Sequence, residues 1–194
     1  MDEEFLAELQ RRVYSDAERG DELQDAAFTD YMRSILTDAG ELDDGETAMF
    51  HTSGAKGMSA SGFAISDDGE VIDVLVTDYR PDLSIRNMTK VQLARNFAAL
   101  DRFVAQTEEL TSVIEEAFPS WSMCSLLSEA LPRALRVRLT LLTNARVKPP
   151  PPPAGTLHQA KVTYHVWDLG RLWRFEWSGP PREAITLLYV GVGS

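Results

Sequence analysis

The chain is poor in the residues that tie proteins together covalently or through metals. It has one cysteine, Cys124, so no intrachain disulfide can form. Its three histidines, His51, His158 and His165, are scattered, and with a single thiol they give no zinc-ligand spacing. No apolar run approaches the roughly 20 residues that a membrane span needs. The opening MDEEFLAELQ is acidic where a secretory signal would be basic. A lone thiol without such a signal fits a reducing cytoplasm, which is the expected location. Basic residues are also in deficit: 19 Lys and Arg stand against 30 Asp and Glu, for a net charge of -11. That balance disfavours bulk electrostatic grip on nucleic acid, although a local basic groove is compatible with it. No Gly-x-Ser-x-Gly elbow and no Walker-type phosphate loop is present.

What is present reads as an ordinary folded chain. Hydrophobic residues make up 44% and charged residues 25% of its 194 residues, enough for one domain, expected over residues 1–194, with its own core. Phe5, Leu9 and Val13 recur at helical spacing, and Gly20 ends that first helix. A second helix is predicted over 21–38, with Phe28, Tyr31, Met32, Ile35 and Leu36 on one face, Asp21 as its cap and Gly40 at its end. The period then changes to two. Strands are predicted over 47–52, 58–66 and 70–79, the last two joined by the hairpin signal Ser66-Asp67-Asp68-Gly69. The third strand is apolar on nearly both faces, which predicts a central position.

Helical spacing resumes over 89–118, with a break near Thr107 and a capping box of Thr89 and Gln92, and again over 121–131. Leu135, Val137, Leu139 and Leu141 alternate with polar residues as a strand. The run Pro149 to Pro153 is read as an internal surface loop of about 148–156. Val162, Tyr164 and Val166 predict a strand, Asp168 caps a further helix, and a last strand is expected near 185–190. The order is read as α-α-β-β-β-α-α-β-α-β, an α/β (α+β) domain with a mixed sheet flanked by helices.

One strand carries the most suggestive chemistry. Ile72, Val74, Val76, Asp78 and Arg80 share a face, so a carboxylate and a cation emerge together from the end of an apolar row. Metal-dependent nucleases use an acid-x-cation pair in this way, the carboxylate holding Mg²⁺ and the cation steadying water or phosphate. The plain alternative is a strand-end salt bridge. A Mg²⁺ site also wants a second carboxylate. The natural place on the preceding strand holds Ser61, and Glu41 after the second helix is the other candidate. Glu41 also belongs to a solvated acidic run with Asp43, Asp44 and Glu46, and Asp73 points to the opposite face from Asp78. Asp78, Arg80 and Glu41 are therefore the candidate catalytic residues, with Asp78 and Glu41 as metal ligands; no cofactor is expected otherwise. Arg136 and Arg138 share a strand face and suit either an anion or acidic neighbours. Cys124 reads as a buried structural thiol. Trp167, Trp173, Phe175 and Trp177 form an aromatic cluster suited to packing or to docking.

Four segments, in order, carry a resemblance. They are Phe28-Thr29-Asp30-Tyr31 leading to Asp38-Ala39-Gly40-Glu41; Gly62-Phe63-Ala64 followed by Asp73 to Tyr79; Met88-Thr89-Lys90 through Phe97 to Arg102-Phe103; and Tyr164 to Leu172 with Ser178-Gly179. Together they resemble the N-terminal region of the AIPR family, bacterial proteins of abortive infection phage resistance. The resemblance implies a role in antiviral defence and a restriction-endonuclease-like core. It also implies that this chain corresponds to the N-terminal part of longer proteins, whose remainder, or another protein, is its partner. The family pattern has an acidic residue before the Gly-aromatic step, where this chain has Ser61; Glu41 and Asp78 match acidic positions and Arg80 is the nearby cation. The expected function is an interaction or regulatory domain with an eroded nuclease site, the alternative being an active Mg²⁺-dependent nuclease.

Overall fold

The computed structural model describes residues 2–178. Two helices come first, α1 (Asp2–Gly20) and α2 (Gln24–Asp38), then an antiparallel meander of β1 (Gly45–His51), β2 (Ser59–Ile65) and β3 (Val71–Asp78). A two-residue strand β4 (Asn87–Met88) leads into α3 (Lys90–Ala105), α4 (Thr107–Val113) and α5 (Pro119–Ala130). After a 3-10 turn (Leu131–Arg133) follow β5 (Arg136–Thr143), β6 (Arg146–Val147), β7 (Gly155–Leu157), β8 (Ala160–Trp167) and α6 (Leu169–Ser178).

The main sheet runs β1-β2-β3-β5-β8-β7, and β4 pairs with β6 in a separate ladder. β3 is antiparallel to β2 and parallel to β5, which is in turn parallel to β8. β3 thus lies inside the sheet, as its two-faced apolar run predicts. Each face builds its own core. On one, Ile72, Val74 and Val76 meet Val137, Leu139 and Leu141 under Leu93, Phe97 and Leu100 of α3 and Leu127 of α5. On the other, Leu75 and Leu142 meet Leu9 and Val13 of α1, Phe28, Met32 and Leu36 of α2, and Leu172 of α6. Each such side chain contributes roughly 1.5–3 kcal/mol by leaving water.

Local chemistry fixes the ends of these elements. Thr89 and Gln92 form the expected capping box at α3. Gly40, at φ +72°, closes α2 while Gly40 and Glu41 donate back to Thr37 and Leu36, a Schellman arrangement. Gly69 takes the left-handed position of the β2–β3 turn, and Asp68 accepts from the Ser66 hydroxyl and the Glu70 amide.

Two expectations need correction. Asp21 does not cap α2: the N-cap is Leu23, without a side-chain bond. Asp21 instead adopts φ 50° while Glu22 donates to Ala17, so it ends α1. The strands expected at 135–141 and around 162–166 are present as β5 and β8, but the order as read counts one strand there and omits the short β4, β6 and β7. Two- and three-residue strands leave no periodicity to read, and their pairing is set by distant segments. The break expected near Thr107 in the stretch over 89–118 is present: α3 and α4 part at Gln106. The strand expected near 185–190 lies outside the described residues.

Candidate functional site

At the C-terminal end of β3, Asp78 and Arg80 do emerge together, with Nε of Arg80 3.8 Å from Oδ1 of Asp78. The stronger partners of Asp78 come from elsewhere. Arg86 donates to Oδ1 at 2.8 Å, and the amide of Asn96 on α3 donates to Oδ2 at 3.1 Å. Both oxygens of a largely buried carboxylate are therefore already hydrogen-bonded. The Arg80 backbone is clamped in turn by Asn144, which accepts from its amide and donates to its carbonyl. This cluster ties β3, β5 and α3 into one corner.

Ser61 faces the other way. Its hydroxyl accepts from Thr77 at 2.9 Å, and Thr77 is bonded at 2.8 Å to Thr29 of α2. Ser61 and Thr29 are completely or almost completely buried. Adjacent residues of a strand point to opposite faces. Thr77 turns toward α2 and Asp78 toward α3, so Ser61 and Asp78 lie on opposite sides of the sheet. Where the resemblance leads one to expect an acid, this chain has one link of a neutral hydroxyl chain.

Glu41 does not join Asp78 either. It lines a cavity of about 60 Å³ on the α2 face, with Asp73, Arg138, His165 and Arg171. The register explains this grouping. Asp73, Arg138 and Thr163 form one row across β3, β5 and β8, and Leu75, Thr140 and His165 form the next. Arg138 grips Asp73 through two bonds of 2.7 Å, from Nε to Oδ1 and from Nη2 to Oδ2. The Asp73 side chain is 4% exposed and that of Arg138 34%. Burial lifts the pKa of Asp73 above the usual carboxylate range, and Arg138 pulls it part of the way back. His165 is pushed down, first by burial and then by Arg138 and Arg171. Its ring is held by a 2.8 Å bond to Thr163. Arg171 stacks 3.9 Å over the Trp167 ring and donates to the Val166 carbonyl. Arg136, two residues from Arg138, is exposed.

The partners of Asp78 leave no signal in the sequence, because Arg86 lies in an irregular loop and Asn96 on a helix. The Asp73–Arg138 pair does leave one: a single acid inside an apolar central strand demands a cation, and a neighbouring strand offers Arg136 and Arg138. In the aromatic cluster, Trp167 meets Phe175 edge-on at 5.9 Å; the Trp177 side chain lies outside the described residues. Cys124 is buried, and burial pushes its thiol up to about 11. Among the described residues, no three His, Cys, Asp or Glu side chains gather closely enough to hold a metal ion, and no helix is long and apolar enough to cross a membrane.

Comparison with curated proteins and with solved structures returns no match. A family model described as "Abortive infection phage resistance protein N-terminal domain" matches residues 28–174, well over half of the chain. The match begins at the α2 face that carries Thr29 and ends in α6 beside Arg171, so it takes in both clusters, and the chain belongs to this family of abortive infection phage resistance proteins.

Proposed function

We infer that this domain serves phage defence as a docking or regulatory domain, built on a restriction-endonuclease-like core whose cleavage site is inert. It acts through the remainder of a longer parent protein or through a protein partner. The observation that carries this reading is the full engagement of Asp78 by Arg86 and Asn96. Mg²⁺ is held by one or two carboxylates plus water and substrate phosphate. The carboxylate at 78 is already bonded at both oxygens, Glu41 lies across the sheet, and the third position is a serine bonded to Thr77. That donor set does not fit Mg²⁺, and the charge of -11 adds no attraction for nucleic acid. The test is a plasmid-nicking assay with Mg²⁺ or Mn²⁺, comparing the native chain with Asp78→Ala. Background cleavage in both supports the reading. Cleavage by the native chain that disappears in Asp78→Ala overturns it in favour of a Mg²⁺-dependent nuclease using Asp78, Arg80 and Glu41, for which the 3.8 Å approach of Arg80 to Asp78 speaks.

A further inference from the structure

On the sheet face opposite Asp73, α3 leaves part of the outer strands uncovered. A cavity of about 250 Å³ opens there, walled by Val104, Val137, Leu139, Leu157 and Val162. Its volume is below the roughly 300–1,000 Å³ of sites for drug-sized ligands, which limits an occupant to a short stem. Asp101 and Tyr164 supply the polar groups. Tyr164 donates to Oδ1 of Asp101 at 2.8 Å, and its ring is held edge-on against Phe97 at 5.2 Å. The carboxylate is thereby fixed over an apolar cavity. Arg102, its neighbour in sequence, is turned away and donates to the Gly57 carbonyl. Among the described residues, Oδ2 of Asp101 accepts no hydrogen bond.

The chemistry selects the ligand. An anion meets both Asp101 and a chain of net charge -11. A guanidinium fork wants two free oxygens, and Tyr164 has taken one. An ammonium is a point charge that needs only one, and its methylene stem suits the Val and Leu walls. We propose that this cavity binds a primary alkylammonium group, the stem against Val137, Leu139 and Leu157 and the NH₃⁺ on Oδ2 of Asp101. Free diamines and the lysine side chain of a partner share this chemistry. Burial raises the pKa of Asp101, and the Tyr164 bond and the nearby Arg102 bring it only part of the way back.

Calorimetric titration of the native chain tests this with 1-aminobutane, 1,4-diaminobutane, 1-butanol and Nα-acetyl-lysine amide. The expected result is saturable binding of the amines, at least tenfold tighter than butanol. Asp101→Asn, at an exposed helix position, weakens it at least tenfold with an unchanged melting temperature. Leu157→Phe, which fills the cavity, weakens it too and serves as the second variant. Binding of the lysine derivative with that of 1-aminobutane identifies a side chain as the source; preference for the diamine identifies a free polyamine. No amine binding by the native chain, equal binding of butanol and 1-aminobutane, or undiminished binding to Asp101→Asn overturns the proposal.

Discussion

Replacing Arg138 with Met leaves the Asp73 carboxylate buried without its cation. Asp73 is 4% exposed and receives both of its side-chain bonds from Arg138. Breaking a buried ion pair on one side costs about 3–5 kcal/mol. Arg138 is itself about a third exposed, so water reaching the site reduces this to about 2–3 kcal/mol. For a chain of this size the melting temperature then falls by about 5–10 °C. The loss depends on pH in a definite direction. Burial already raises the pKa of Asp73, and Arg138 is the group that lowers it; without Arg138 it rises further. As pH increases from about 4, the unfolded chain ionises at the ordinary Asp value of about 3.9 before the folded variant does. Stability is therefore full below that value and declines as pH rises through the elevated folded value. Urea unfolding followed by circular dichroism should show little difference between Arg138→Met and the native chain near pH 4, and the whole deficit at pH 7. The double variant Asp73→Leu with Arg138→Met should return to within about 1 kcal/mol of the native chain. A deficit under about 1 kcal/mol at pH 7, or one that does not change with pH, refutes the reasoning.

Other expectations follow from the same geometry. Ser61→Asp places a carboxylate in a buried hydroxyl chain and should cost about 3 kcal/mol or more in urea; because Asp78 is on the opposite face, calorimetry should find no Mg²⁺ site created by the change. Thr89→Ala removes the α3 capping box and should cost about 1 kcal/mol, read as a lower urea midpoint with an unchanged slope. The Cys124 thiol, with a pKa pushed up to about 11 by burial, should react with a thiol reagent at pH 8 only as fast as the chain unfolds; rapid labelling of the native protein counts against the buried placement.

How far the fold could be read from the sequence depended on where each signal sits. β3 was legible because an apolar run next to Asp-Asp-Gly carries its own boundary and its own two-faced pattern. The α3 start was legible because Thr89 and Gln92 satisfy each other locally. Asp21 misled because an acidic residue between two helices can close the first as well as cap the second, and the choice rests on how the helices pack. β4, β6 and β7 are too short to have a period and exist through their partners. The site divides the same way. That Asp78 stands beside Arg80, and that Asp73 faces away, follows from strand alternation alone. That Arg86 and Asn96 take both oxygens of Asp78 depends on the loop after β3 and the first turns of α3 folding back over its end. Tertiary contact of that kind leaves no trace in spacing. The placement of Glu41 beside Arg138 is of the same sort, set by the chain leaving α2 through Gly40 toward the Asp73 end of the sheet.

The central claim is that Asp78 holds the corner of β3 and α3 together and does not ligate a metal. Isothermal titration of Mn²⁺ and Mg²⁺ into the native chain and into Asp78→Asn measures this directly. The account predicts no saturable site in either protein, together with a lower unfolding midpoint for the variant. A saturable Mn²⁺ site in the native chain that vanishes in Asp78→Asn contradicts it.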